Sequence, residues 1–236
     1  MKILFSPSEE KNFIYKENCN EPFSFLQDLL FGANVREDFV KNYLKYLKDS
    51  TTNELSKILG MKNISLDKLS AASNLHTANT IESILLYNGV AFKALDISSL
   101  PKDSLNFLFD NVLIFSNLFG CIRANDKIPY YKLKQGETFF KNSIFSLYDR
   151  FKEPLFEYLK DSDVLDLRAE FYIKAFALPY PHTKAEFYKN NKKVSHQSKH
   201  YRGLLLRNLA LNKKEPFKIR DIKQNGFIKI IQYEVD

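Results

Sequence analysis

Residues 2–11 read KILFSPSEEK, and this stretch decides the fold class that we expect. Residues 2–5 form a short, mostly apolar run, which is typical of a buried strand. Ser6 and Pro7 end the strand, because proline fixes φ and the residue before a proline avoids the helical region. The polar loop that follows, through residue 12, lies where proteins built on sheets often place binding groups. We therefore predict a strand followed by a candidate binding loop, with Ser6 and Lys11 among its functional side chains.

A second buried strand is predicted at residues 164–167, and further strands at 111–115 and 226–233, with a hairpin at 185–194. Apolar residues recur at intervals of three and four in the segments between them. The predicted helices cover residues 23–31, 35–47, 51–59, 77–87, 101–109, 144–160 and 195–211. Pro154 predicts a kink or a break in the sixth helix. No repeat and no Gly/Ser/Pro linker interrupts the pattern, so we predict one mixed α/β domain over residues 1–236.

The composition excludes several classes of protein. The chain has 236 residues, of which 44% are hydrophobic, a share that argues against a disordered chain. No apolar run approaches the roughly 18 residues of a membrane-spanning helix, and the apolar start is too short for a signal peptide. Cys19 and Cys121 have no Cys or His companions at the spacing of a disulfide framework or a zinc site. A cytoplasmic protein with no membrane partner is expected.

Charge is distributed unevenly along the chain. The formal net charge is +7, which alone indicates little beyond solubility. Residues 168–231 contain 15 Lys or Arg and four Asp or Glu, a net charge of +11, whereas the rest of the chain carries −4. This polarity is typical of a protein that binds anions.

Several chemical motifs are missing. The chain contains no Gly-rich phosphate loop, GxGxxG, GxSxG or HExxH, so the corresponding nucleotide-binding and hydrolase classes lack support. His196 and His200 lie four residues apart, on one face of a predicted helix. Their neighbours Lys199 and Arg202 would repel a metal cation, and no helix carries the Glu-x-x-His pair of an iron site. We predict no metal site and no cofactor.

Residues 116–123, SNLFGCIR, are a candidate anion-binding segment. A small residue, an apolar residue and a glycine between short helical pieces can expose backbone N–H groups to a phosphate. Arg123 would then supply a bidentate fork. A helix that ends at Gly120 beside a surface arginine explains the same residues equally well.

Two further charged segments have competing interpretations. Asp166 and Arg168 point to one face of a buried strand, and such a pair satisfies its own charges. Lys199, Arg202 and Arg207 place positive charge at and after the start of the last helix, against the preference of the helix dipole for anions there. This arrangement becomes favourable when an anion binds, although a solvated basic face is the alternative.

These segments, in this order, resemble the YaaA family of bacterial peroxide-stress proteins. The resemblance spans nearly the whole chain and is carried by residues 3–11, 87–95, 116–123 with Asp126, 131–133, 166–168 with Tyr172, and 199–207. The chain departs from the family pattern at Asn117, Ala124 and Lys132, where the family has Gly, Pro and Arg. Lysine keeps the positive charge but lacks the planar fork of arginine.

The resemblance implies a curved mixed sheet flanked by helices, a positively charged cleft and a cytosolic location. It also implies a role in the response to hydrogen peroxide that limits damage by free intracellular iron. DNA binding through an element like a helix-hairpin-helix is a further property of the family. If residues 118–123 form that element here, it is degenerate, because Cys121 and Ile122 follow Gly120 where a second glycine would stand.

The first functional hypothesis is therefore a peroxide-stress protein, favoured as a monomer, that binds duplex or distorted DNA without sequence specificity. The predicted anion-binding residues are Lys11, Arg123, Lys132, Arg168, Lys199, Arg202 and Arg207. Three tyrosines, Tyr130, Tyr131 and Tyr201, are predicted to stack on unpaired bases.

Two alternatives stay open. One is an enzyme that acts on a small anionic or nucleotide substrate in the same cleft. Its candidate catalytic residues are Ser6, Asp166 and His196, with His196 as the acid or base because its side chain titrates near neutral pH. This hypothesis requires the three side chains to lie within about 10 Å of one another. The other alternative is a role in protein interaction.

Overall fold

The strand predicted at the amino terminus lies in the middle of an open mixed sheet. The computed structural model describes residues 1–13, 21–195, 197–212 and 217–236. Its strands are β1 (Lys2–Phe5), β2 (Thr80–Glu82), β3 (Val112–Ser116), β4 (Gly120–Arg123), β5 (Lys127–Pro129), β6 (Val164–Leu167), β7 (His182–Lys189), β8 (Lys192–Lys193), β9 (Lys218–Asn225) and β10 (Ile228–Glu234). The mixed α/β fold class is confirmed.

The helices lie mainly between β1 and β3 and between β5 and β6. They are α1 (Phe25–Asp28), α2 (Glu37–Asp49), α3 (Thr52–Leu59), α4 (Leu66–Ser73), α5 (Ser83–Leu86), α6 (Val90–Leu95), α7 (Lys102–Asn111), α8 (Ile144–Asp149), α9 (Lys152–Leu159), α10 (Glu170–Ala175) and α11 (Ser198–Ala210). Helix α3 shows how local sequence sets these bounds. Thr51 and Glu54 form a capping box at its start, and Gly60 at φ +64° ends it.

The main sheet has the strand order β4-β3-β1-β6-β7-β10-β9, with β8 paired to β7. Strands β3, β1, β6, β7 and β10 run parallel to one another, whereas β4, β8 and β9 pair antiparallel with β3, β7 and β10. From β1 the chain goes first to β3 on one side and later to β6 on the other. The order of the strands therefore reverses at β1, and the β1/β6 boundary is the switch point at which open sheets bind ligands, beyond the carboxyl ends of the strands.

Mostly apolar runs explain why β1, β3 and β6 lie in the centre. Every residue of β3 and β6 is buried, as are Ile3, Leu4 and Phe5 of β1. Strands covered on both faces need such runs, because neither face reaches water. The buried apolar cluster extends from Ile3 to Val235 and includes residues of both halves of the chain.

Helix α11 packs unusually closely against α6, and Gly203 makes this possible. A Cβ atom at residue 203 would lie 2.0 Å from the carbonyl oxygen of Ala91 and 2.9 Å from the Cβ atom of Ala94. Only glycine allows this approach. The close packing fixes α11 beside the loop that follows β1.

Three sequence predictions differ from the structure. Residues 77–87 do not form one helix, because β2 pairs with β5 and only the short α5 follows. Residues 144–160 form two helices, one of the two predicted arrangements, but the break lies at Arg150 and Phe151 and not at Pro154, which sits in the first turn of α9. Residues 118–123 form a turn and β4, so this segment is not a helix-hairpin-helix element.

Strand β9 was not predicted, because all of its residues are exposed and its sequence has no apolar alternation. In the described part of the chain, no helix is long and apolar enough to cross a membrane.

Candidate functional site

A crevice of about 320 Å³ opens at the switch point, beyond the carboxyl ends of β1 and β6. Its walls come from the loop after β1, the end of β6, the start of α6 and the first turns of α11. The lining residues include Phe5, Ser6, Pro7, Ser8, Glu9, Glu10, Gly89, Phe92, Gln135, Leu167, Ala169, Tyr172, Lys199 and Arg202. The floor is therefore apolar and aromatic, and the polar lining consists of hydroxyl groups, the carboxylates of Glu9 and Glu10 and the two cations Lys199 and Arg202.

The loop after β1 is anchored on both sides. Ser6 Oγ accepts a hydrogen bond of 2.7 Å from the backbone N–H of Ala169, which ties the end of β1 to the end of β6. A Cβ atom at residue 89 would lie 2.1 Å from Ser8 Oγ, so Gly89 lets the loop approach the start of α6. These contacts hold the loop in place, so it forms a fixed wall of the crevice and is not a free surface turn.

Arg202 is the cation with the most distinctive environment. Its half-buried guanidinium lines this crevice and also a second one of about 450 Å³ beside Asp166, Glu170 and Lys184. Burial lowers the pKa of Arg202, while Asp166 and Glu170 oppose this shift. Among the described residues, Arg202 has no hydrogen-bond or ion-pair partner. Because this guanidinium is partly removed from water and has no partner there, an ion pair with an anion in the crevice would stabilise it.

Lys199 and Lys132 extend the positive charge around the rim. Lys199 is exposed at the start of α11, one turn before Arg202, and within the described residues it has no ion-pair partner. Lys132 Nζ donates to the carbonyl oxygen of Glu9 at 3.3 Å, on the opposite side of the loop. Lys199 and Arg202 therefore line the crevice, and Lys132 contacts its wall at Glu9.

Lys11 lies behind the same wall, in an aromatic cage. Its Nζ donates to the carbonyl oxygen of Ser8 at 3.0 Å and lies 4.0 Å from the centre of the Tyr131 ring and 5.2 Å from that of Tyr87. Burial, with a smaller contribution from the ammonium group of Lys132, lowers the pKa of Lys11 to about 7. No carboxylate lies within ion-pair distance of Lys11 among the described residues.

A chain of buried hydroxyl groups supports the cage. Tyr131 Oη lies 2.9 Å from both Tyr87 Oη and Ser116 Oγ. Ser116 Oγ accepts from the backbone N–H groups of Leu118 and Phe119. The segment after β3 thus turns its backbone donors inward to Ser116, and it does not present them to a phosphate as the sequence suggested.

Arg168 and Asp166 satisfy each other. Nε and Nη2 of Arg168 donate to the two carboxylate oxygens of Asp166 at 2.9 and 2.7 Å, and Nη1 donates to the carbonyl oxygen of Phe176. Burial alone would raise the pKa of Asp166, but the charge and hydrogen bonds of Arg168 outweigh this effect and hold the pKa below its usual value. The structural interpretation of this pair is confirmed, and Arg168 is not open to an external anion.

Arg123 and Arg207 lie apart from the crevice and have local partners. Arg123 pairs with Asp126 at 2.7 Å and stands opposite Leu113, near the amino end of β3 and so at the other edge of the sheet. Arg207 donates to the carbonyl oxygens of Leu95 and Asp96 and to Ser99 Oγ. These cations attach one element to the next, and the structure does not bring them to the rim.

The three tyrosines predicted to stack on bases are buried. Their exposed fractions are 4% for Tyr130, 1% for Tyr131 and 8% for Tyr201. Tyr131 belongs to the cage of Lys11, and Tyr201 stacks on Phe187 in the core. The stacking prediction is wrong. Burial of these aromatic rings stabilises the fold, so they fill the interior and do not face solvent.

The proposed catalytic set is only partly described. Ser6 lines the first crevice, whereas Asp166 lines the second. The carboxylate of Asp166 is held in an ion pair with Arg168. His196 lies outside the described residues. No group of three or more His, Cys, Asp or Glu side chains in the described ranges could hold a metal ion.

Sequence reasoning missed two features of the site. The cage of Lys11 joins residues 11, 87 and 131, whose separation in sequence hides their contact. Gly203, which brings α11 to the crevice, has a signal in the sequence, because a glycine inside a helix interior is costly without a packing reason.

The chain is similar to known proteins over its full length. A family model described as peroxide stress protein YaaA matches residues 1–233. A Campylobacter jejuni protein, described only as uncharacterized, is 38% identical over 248 residues, which cover 100% of this chain and 99% of the relative. A UPF0246 protein of Corynebacterium glutamicum is 33% identical, with 94% and 90% covered. With the crevice and the motif residues around it, these similarities lead to one conclusion: the chain belongs to the family of peroxide stress protein YaaA.

Proposed function

We propose that this protein is a cytosolic DNA-binding protein of the peroxide stress response, which holds DNA phosphates at the rim of the switch-point crevice. The observation that carries the proposal is the half-buried guanidinium of Arg202, which has no partner among the described residues and lies beside the free ammonium of Lys199. Lys132, across the wall of residues 6–10, supplies a third cation. The phosphates of a DNA backbone offer an acceptor to each of these cations.

Such contacts recognise the phosphate backbone and not the bases. Neutralising a phosphate releases condensed counterions, so the affinity falls as the salt concentration rises. With phosphate contacts from Lys199, Arg202 and Lys132, the slope of log K against log[salt] is expected to be about −3 for duplex DNA. The exposed aromatic rings that would stack on unpaired bases are missing at the predicted positions, so we expect no large preference for single strands.

The test is a salt series of binding isotherms with duplex, bulged and single-stranded oligonucleotides. We expect binding to all three at low salt and a slope near −3 for the duplex. Arg202→Met and Lys199→Met should each make the slope less negative by about 1. No binding at low salt, or a slope near zero, contradicts the proposal.

Lys160→Met is the matched control for these variants. Lys160 is exposed and follows α9, just before β6, so it lies at the amino-terminal edge of the sheet, away from the crevice. Its loss removes the same unit of charge. An equal effect of Lys160→Met and Lys199→Met would mean that net charge, and not the rim, drives binding.

A second candidate function is binding or turnover of a small anionic compound such as a nucleotide. The position of the crevice at a topological switch point, with an apolar floor, favours it. Calorimetric titration with nucleoside phosphates tests this alternative. Micromolar binding that Arg202→Met abolishes would support a small-molecule site, and the absence of any heat would exclude it for this ligand class.

A further inference from the structure

Phosphate binding does not explain the aromatic floor and the acidic wall of the switch-point crevice. Phe5, Phe92 and Tyr172 line the floor, and a phosphate group needs no aromatic surface. Glu9 and Glu10 line the loop wall, and their carboxylates repel phosphates. At about 320 Å³ the crevice is near the lower end of the size range of ligand pockets, so it takes one small molecule and not a duplex. The ligand that fits has a flat apolar body, N–H donors and one anionic group.

The two carboxylates of the wall have different local partners. Glu10 Oε2 lies 3.5 Å from Lys93 Nζ on α6, so this carboxylate has a cation beside it. Within the described ranges, Glu9 has no cation within ion-pair distance of its carboxylate. Its Oε1 accepts a hydrogen bond of 3.0 Å from the backbone N–H of Gln135, and Lys132 bonds only its carbonyl oxygen. A carboxylate has about four lone-pair sites, so Glu9 can accept from two further donors.

Glu9 and Arg202 line different walls of the crevice. Burial raises the pKa of the Tyr172 phenol, and neighbouring negative charges, that of Glu9 among them, add to the shift, so the Glu9 carboxylate lies near the floor. On the wall formed by α11, the carboxylates that act on Arg202 are those of Asp166 and Glu170, which line the second crevice. A ligand that fills the first crevice therefore meets a carboxylate from the loop and a guanidinium from α11.

A guanine base matches the polar groups beside Glu9. Its Watson–Crick edge presents two adjacent donors, the N2 amino group and N1–H, followed by the acceptor O6, so one carboxylate accepts from both donors. Adenine and cytosine each place a ring acceptor beside a single amino group, and thymine and uracil place an acceptor on each side of one N–H. Gln135 lines the crevice next to Glu9, and its side-chain amide can donate to O6.

We propose that the crevice binds one guanine nucleotide, with the base edge on Glu9 and the phosphate on Arg202 and Lys199. The purine ring packs on the aromatic floor. This inference rests on the proposed function, because the same two cations hold DNA phosphates when the nucleotide is absent. The nucleotide occupies Arg202 and Lys199 and leaves DNA only the contact at Lys132. A guanine nucleotide therefore competes with DNA and regulates its binding.

Calorimetric titration of the full chain with GMP, IMP and AMP tests the base contact. The three compounds carry the same ribose and phosphate and differ in the base edge, since IMP lacks the N2 amino group and AMP lacks the pair of adjacent donors. Each hydrogen bond to a charged acceptor is worth about tenfold or more in affinity. We expect GMP to bind at least about tenfold more tightly than IMP and about a hundredfold more tightly than AMP. Equal affinities, or no heat with any of the three, overturn the proposal.

Glu9→Gln tests whether Glu9 contacts the base. The carboxamide keeps an oxygen for the N–H of Gln135 but replaces one acceptor with a donor, which suits the amino group and N1 of adenine. The ratio of GMP to AMP affinity should fall from about a hundred to about one or below. Glu10→Gln removes the same charge one residue away and should keep the ratio, because Glu10 pairs with Lys93. An unchanged ratio in Glu9→Gln, or an equal fall in both variants, refutes the contact.

Displacement of a labelled duplex separates the failure of this inference from the failure of DNA binding. We expect GMP to release the duplex at concentrations at which AMP does not, and Arg202→Met to weaken the binding of both GMP and the duplex. A duplex that binds but is not displaced by GMP overturns the shared site and leaves the proposed DNA binding intact. Selective GMP binding by a chain that binds no duplex supports the nucleotide site and refutes DNA binding together with its regulation.

Discussion

The guanidinium of Arg168 and the carboxylate of Asp166 form a bidentate ion pair, with Nη2 and Oδ2 2.7 Å apart and both side chains closed to solvent. The pair sits at the carboxyl end of β6, directly below the crevice rim. Each side chain thus satisfies the charge of the other, away from solvent. The pair also fixes the end of β6, because Nη1 of Arg168 reaches the carbonyl oxygen of Phe176 beyond α10.

Breaking this pair is expected to be costly for stability. Asp166→Asn leaves the buried guanidinium of Arg168 uncompensated, which should lower the free energy of unfolding by about 3–5 kcal/mol. Urea unfolding measures the change. Glu157→Gln, which breaks the exposed pair with Lys160, is the control and should cost less than about 1 kcal/mol. An Asp166→Asn variant of normal stability that loses an activity would restore the catalytic hypothesis.

Lys11 should make the free energy of unfolding increase as the pH rises above 7. Its folded pKa of about 7 lies below its value of 10.5 in the unfolded chain, so the unfolded chain binds more protons between these two values. The free energy of unfolding therefore increases with pH in this window. Between pH 7 and 9 the natural chain should gain at least about 1 kcal/mol relative to Lys11→Met, measured by urea unfolding.

The groups that face Lys11 in this measurement are Lys132, Glu9, Tyr87 and Tyr131. Burial raises the pKa of Tyr131 to about 12, so this hydroxyl stays protonated throughout the window. Lys160→Met should follow the natural chain. Parallel curves for the natural chain and Lys11→Met would show that Lys11 titrates as an ordinary surface lysine.

Gly203 is expected to tolerate no side chain. A Cβ atom there would lie 2.0 Å from the backbone of Ala91, so Gly203→Ala must push α11 away from α6. We expect a loss of more than about 3 kcal/mol in the free energy of unfolding, together with weaker DNA binding. Gly226→Ala is the comparison, since its Cβ atom meets no other atom and only the φ of +57° opposes it, at about 1 kcal/mol. Equal effects of the two substitutions would show that α11 packs less closely than described.

Arg207 and Arg202 lie on one helix but should respond differently. Arg207→Met removes hydrogen bonds to Leu95, Asp96 and Ser99, so it should lower the free energy of unfolding by about 1–3 kcal/mol. Arg202→Met removes no such bond and should change stability by less than about 0.5 kcal/mol. The salt slope of DNA binding should change in Arg202→Met and stay constant in Arg207→Met. The reverse pattern would place the DNA contact on the other end of α11.

The central strands could be predicted from the sequence because short, mostly apolar runs are typical of buried strands. Residues 2–5 and 164–167 are such runs, and both became strands of the central sheet. The prediction of a helix over residues 77–87 failed for a tertiary reason. Strand β2 forms by pairing with β5, about 45 residues further along the chain. The periodicity of a local segment cannot indicate a pairing partner that is distant in sequence.

The site was predicted less completely than the fold. Of the predicted cations, Lys199 and Arg202 line the crevice and Lys11 lies behind its wall. The sequence could indicate all three because a polar loop after a strand and a basic helix start are local features. Arg123 and Arg168 were predicted to bind anions, but each has a carboxylate partner within three residues that takes up its charge. Sequence alone shows a charge and its neighbours, whereas only the fold shows which charges remain unpaired.

Protection of lysines from acetylation by bound DNA tests the central claim most directly. A brief reaction with an acetylating reagent, with and without saturating duplex, is followed by mass spectrometry of each lysine. We predict protection of Lys199 at the crevice and of Lys132 beside its wall, and no change at Lys160. Protection confined to the exposed strand β9, at Lys218 and Lys223, with Lys199 fully reactive, would contradict it.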